Sequence, residues 1–70
     1  VLADASGGAV TYTLPLGNTL VAVIKKIDSS ANTVTVLPTS GTIDGAASKV
    51  LFSQYQSVTI VCDGSNYFII

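Results

Sequence analysis

Asp28–Val36 reads DSSANTVTV, and Asp4–Tyr12 reads DASGGAVTY. Both open on Asp-x-Ser, pass through three small or polar residues, and reach Val-Thr followed by an apolar residue. Asp4 and Asp28, Val10 and Val34, and Thr11 and Thr35 are each 24 residues apart, and both units end in Leu-Pro with a one-residue slip. A third Asp-x-Ser opens DGSNYFII at Asp63. Asp and Ser side chains bond backbone groups a residue or two ahead and close tight turns. Three of the four acidic residues are therefore read as turn closers.

An extended pattern follows each copy. Val10, Tyr12 and Leu14 alternate with Thr11 and Thr13, and Val34 and Val36 alternate with Thr33 and Thr35. TLVAVIKKI precedes Asp28 and SVTIVC precedes Asp63, and both are rich in the β-branched residues that favour strands. The second and third copies thus read as hairpin connections, Asp63-Gly64 being the strongest turn signal. Two copies are too few for a solenoid, so the repeat reads as recurring hairpin chemistry. No window carries helical periodicity over ten residues. Strands are expected near 1–3, 9–14, 19–27, 33–37, 49–52, 57–62 and 66–70. Together they predict a small antiparallel sandwich, barrel or prism of six or seven short strands, in one domain spanning 1–70. Within Thr39–Ser48, a loop of turn formers, Ile43 is expected to plug the end of the core. Ser53–Ser57 reads as a polar link.

Hydrophobic residues make up 49% of the chain and charged residues 10%, against about 25% in an average protein. A chain of 70 residues buries only about 60–65% of its unfolded surface, so apolar area is expected to remain for a partner. The faces carried by Val10, Tyr12, Leu14 and by Val58, Ile60, Cys62 exceed what one such core is expected to hold. With no Arg and a net charge of −1, the chain lacks the basic footprint of a nucleic-acid binder. The apolar run Leu20–Ile24 is far shorter than the roughly 20 residues that span a bilayer, so no membrane insertion is expected. No signal peptide is visible, and the lack of Met predicts a piece of a longer protein. Cys62 reads as a buried free thiol.

Little here points to chemistry. There is no His, Glu, Arg or Trp. The Asp residues sit in turns where water is expected to reach them, which ill suits acid–base work. Ser48 and Lys49 are adjacent and would point to opposite faces of a strand. One Cys cannot build a zinc site. Calcium, which accepts loop carboxylates, stays open at Asp28 with Asn32 and at Asp44. Gly7-Gly8 precedes no helix and is no phosphate loop. No catalytic, cofactor-binding or metal residue is assigned, and no cofactor. Tyr12 reads as packing, while Tyr55 is the aromatic expected to be exposed. The Lys25-Lys26 pair reads as an edge-strand guard or a contact to a neighbouring subunit.

Four segments, DASGGAVTYTLP (4–15), IKKIDSSANTVTV (24–36), GTIDGAAS (41–48) and YQSVTIVCDGSNYFII (55–70), occur in an order that resembles a β module of bacteriophage virion proteins, chiefly tail fibres and related appendages. The family often has Trp after the DGSN turn, where this chain has Tyr67. The resemblance implies a non-enzymatic, all-β structural module that packs as a homotrimer, is assembled in the host cytoplasm, and sits in the virion beside other virion proteins. It leaves open a tail fibre, a capsid decoration or head fibre, and a fibre tip that contacts a host glycan or receptor. It carries no site residue over.

Overall fold

A computed structural model describes residues 1–17 and 20–70. Seven strands form in chain order: β1 (Leu2–Ala3), β2 (Val10–Thr13), β3 (Leu20–Lys26), β4 (Val34–Leu37), β5 (Lys49–Leu51), β6 (Ser57–Cys62) and β7 (Tyr67–Ile69). All seven lie where alternation and β-branching place them. The expected start of the third strand at Thr19 lies outside the described residues. Among the described residues there is no helix.

The strands build two sheets, β1-β3-β6-β7 and β2-β4-β5. Both are mixed, which corrects the antiparallel expectation. β1 runs parallel to β3, and β2 runs parallel to β4. The remaining pairs are antiparallel. The correction has one cause. The turn at Asp28 does not join a hairpin, because β3 and β4 lie in different sheets. It is a crossover, and so is the equivalent turn at Asp4 between β1 and β2.

Each copy of the repeat therefore contributes one strand to each sheet, and the two copies stack side by side in the same direction. Val10 pairs with Val34, Thr11 with Thr35, Tyr12 with Val36 and Thr13 with Leu37, all at the 24-residue spacing of the repeat. Leu2 and Ala3 pair with Lys25 and Lys26 at a spacing of 23, so the second turn holds one residue more than the first. Two copies thus suffice for solenoid-like stacking here, because β6, β7 and β5 cover the far side of the second copy.

A single core lies between the sheets. Ile24, Val58, Ile60, Cys62 and Tyr67 from one sheet meet Val34, Val36 and Leu51 from the other, with Leu14 and Ile43 closing in from loops. Val10 and Tyr12 pack against this core. One core thus accommodates both apolar faces that were expected to exceed it. Cys62 is a buried free thiol. Ile43 plugs the core as expected. It pairs with Ala46 across the Asp44-Gly45 turn, whose φ angles of 50° and 81° are those of a type I′ hairpin turn. Asp44 Oδ1 accepts the Ile69 N–H at 3.1 Å and ties this turn to the last strand.

Tyr67 opens the closing strand, with no exposed surface, and its hydroxyl donates to the Pro15 carbonyl at 2.8 Å. Burying a phenol without that acceptor would leave a polar group unpaired. Tyr67→Phe should therefore lower stability by about 1 kcal/mol, the net worth of one hydrogen bond. Tyr67→Ala should cost about 3–5 kcal/mol through the cavity it leaves. Urea titration of the three proteins measures both differences.

Candidate functional site: a buried ion pair and an exposed apolar face

All three Asp-x-Ser copies perform the same act. Asp4 Oδ1 accepts the Ser6 N–H at 2.9 Å, Asp28 Oδ2 accepts the Ser30 N–H at 3.1 Å, and Asp63 Oδ1 accepts the Ser65 N–H at 2.9 Å. Asp63 also accepts the Asn66 N–H at 2.8 Å and closes the β6–β7 hairpin. Asp4 and Asp63 are exposed turn residues.

Asp28 departs from the expectation that water reaches it, for it is only 9% exposed. The Lys25-Lys26 expectation is corrected with it. β3 lies inside its sheet between β1 and β6, so Lys26 guards no edge. Alternation turns Lys26 inward, where it is wholly buried. Its ammonium spends all three N–H groups on Asp28 Oδ2 at 3.0 Å, the Asp28 carbonyl at 3.1 Å and the Ser30 carbonyl at 3.0 Å. The Asp28 carboxylate accepts in addition the Ser30 hydroxyl and, at 2.8 Å, the N–H of Ala5. Asn32 Nδ2 donates to the Ala5 carbonyl at 2.8 Å. Asp28 and Asn32 thus grip both polar groups of one residue in the neighbouring copy. That engages the pair considered for calcium. Among the described residues no group of three or more His, Cys, Asp or Glu comes together.

The Ser30 hydroxyl, then the Ala5 N–H and the Lys26 ammonium, hold the Asp28 carboxyl far below its ordinary 3.8, against the burial that pushes it up. The Ser6 hydroxyl and N–H lower Asp4, and the Asn66 and Ser65 N–H groups lower Asp63.

Outward-facing residues of the four-stranded sheet form a second feature. Leu20, Val61 and Phe68 lie side by side across β3, β6 and β7. Leu20 is 56% and Phe68 40% exposed, and Val23 beside them is 44% exposed. Composition alone did not locate this face. The signal is that Leu20–Ile24 is apolar at both parities, as in a strand covered on both sides.

Tyr55 is 63% exposed as expected, with the Lys25 ammonium 5.4 Å from its ring centre. Its φ of 68° is unusual for a bulky residue. The loop is held there by Gln56 Oε1, which accepts the Phe52 and Ser53 N–H groups, and by the Tyr55 N–H donating to the Lys26 carbonyl. Lys49 opens β5 opposite Val36, with Ser48 just before it. Among the described residues no pocket opens on the surface. Comparison with protein-family models, with curated proteins and with solved structures returns no match.

The lowered carboxyl groups fix an acid dependence. A depressed folded value means that the unfolded chain binds more protons in acid, so the stabilisation is complete above the unfolded value and is lost as pH falls. Melting temperature should be flat above about pH 5 and fall steadily below about pH 4, as the unfolded carboxyls near 3.8 take up protons. Asp28→Asn should melt lower at neutral pH and show a shallower acid slope. Lys26→Met, which leaves a buried carboxylate without its cation, should cost about 3–5 kcal/mol. Thermal melts between pH 2 and pH 8, read by circular dichroism, measure all three.

Proposed function

We propose that this chain is a non-enzymatic structural module of a bacteriophage tail fibre or related appendage, packing with copies of itself into a rigid trimeric β unit. The observation that carries self-packing is the apolar row Leu20, Val61 and Phe68, with Val23 beside it, on the outer face of the larger sheet. The chain exposes 3797 Å², close to the roughly 4,100 Å² that its mass of 7.1 kDa gives for a monomer. Its surface is ordinary in extent, and what stands out is the clustering of apolar side chains in one place. A standard interface takes about 800 Å² per partner, about a fifth of this surface. The number three and the virion setting come from the sequence resemblance alone. A capsid decoration or head-fibre module would use the same face in the same way, since fold does not fix the place of attachment.

Phe52 and Tyr55, both more than 60% exposed on the segment between β5 and β6, favour a second reading as a tip that stacks on host sugars. A glycan array with the isolated chain separates the two readings. Sugar binding lost in Tyr55→Ala supports the tip.

Sedimentation over a range of concentrations tests the first reading. Mass should rise towards three chains, and Val61→Thr with Phe68→Ser should return it to one without loss of the melting transition. A single-chain mass at the highest soluble concentration overturns the self-packing.

A further inference from the structure

β1 and β2 are each the outermost strand of their sheet, and they lie at the same end of the molecule because one turn joins them. On their inner side they receive the second copy of the repeat. The Lys25 and Ile27 N–H groups donate to the Val1 and Ala3 carbonyls, and the Val10 and Leu14 N–H groups donate to the Thr33 and Leu37 carbonyls. Alternate residues of a strand direct their backbone groups to opposite edges. The N–H and C=O groups of Leu2, Thr11 and Thr13 therefore face the open side. Neither strand carries a charge, a Pro or a bulge, the devices that commonly blunt an edge. The edge at β5, by contrast, opens on Lys49.

We propose that this two-strand edge takes a further strand–turn–strand unit from another polypeptide segment. The unit runs parallel to β1 and β2 and carries the pattern of residues 24–38. Within the chain, the second copy docks on the first through strand pairing at a fixed spacing and through a bond from the Ala5 N–H to Asp28. Asp4 is the equivalent of Asp28 in the first copy. It makes the same local bond to Ser6, but it is exposed, and among the described residues no bond reaches it from another unit. An incoming turn in the same register would bring a backbone N–H to Asp4 as Ala5 comes to Asp28. A second whole copy set against this edge by a two-fold axis perpendicular to the sheets would run antiparallel. Its turn would then lie at the far end of the strands, away from Asp4. The free carboxylate thus selects a parallel unit over a mate related by that axis. This surface is the edge of the sheets, distinct from the outer face assigned to self-packing, and its occupancy does not depend on that assignment.

Amide hydrogen exchange on the isotope-labelled chain tests the proposal, using an unlabelled synthetic peptide of sequence IKKIDSSANTVTVLP as the probe. Saturating peptide should slow exchange at Leu2, Thr11 and Thr13 by about tenfold or more, as edge amides become paired. The β4 amides should stay unchanged. Asp4→Ala, at an exposed side chain and with its melting transition measured alongside, should weaken the effect several-fold. Three results overturn the proposal: no slowing at millimolar peptide, equal slowing by a scrambled peptide, or equal slowing in Asp4→Ala. A fourth is slowing without peptide that grows with protein concentration, which would give the edge to a second copy.

Discussion

The fold depends on the grip of one carboxylate on a neighbouring turn. Asp28 belongs to the second copy of the repeat, yet its shortest backbone bond goes to Ala5 in the first. β1 and β3 pair over only two residues, so that bond and its companions from Asn32 and the Ser30 hydroxyl reinforce an offset that a short backbone ladder holds by itself only weakly. Side-chain alternation has a period of two, so a slip of one residue would turn Lys26 outward and Lys25 into the core. The buried ammonium enforces the register from the other side. It finds three acceptors only where Asp28 and Ser30 place them. An ion pair is a weak source of net stability when compared with apolar packing. Here it fixes which of two registers is adopted.

Local chemistry was largely legible in the sequence. The three Asp-x-Ser copies close turns, Asp63-Gly64 begins the loop of a hairpin, Ile43 fills the core end, and seven strands appear where β-branching and alternation put them. Those features depend on interactions within a few residues, which a single sequence displays. Pairing was not legible. A turn that closes a hairpin and a turn that crosses between sheets use the same Asp and Ser bonds, so the turn at Asp28 could not declare its partner. The one sign of parallel stacking was the equal spacing of the Val-Thr pairs, read as repeated turn chemistry and not as a pairing register.

The candidate sites divide along the same line. Lys25 and Lys26 are adjacent and identical, yet one lies over an exposed ring and the other is sealed inside. Position in the alternation decides between them, and a two-lysine sequence does not state where the alternation starts. The exposed row Leu20, Val61 and Phe68 is drawn from three strands and exists only once β3, β6 and β7 are in register. Residues gathered from such distant positions leave a trace only as excess hydrophobicity, which composition detects but cannot locate.

Parallel stacking of the repeat has a consequence for how the chain acquires its structure. A hairpin such as β6–β7 can close as soon as its second strand exists, but β1 and β2 have no partner until residues 25–37 are in place. Each closure spans 23 or 24 residues, and the link between Tyr67 and Pro15 spans 52. Loop-closure entropy must be overcome before those contacts contribute, so topologies dominated by distant pairs fold in milliseconds to seconds, not microseconds. On a ribosome, residues 1–13 would emerge as a strand pair whose one charged side chain is Asp4, with edges open to this part of the chain until residues 25–37 follow. The growing chain is most prone to misassociate during that interval, which ends when the second copy arrives to cover the first.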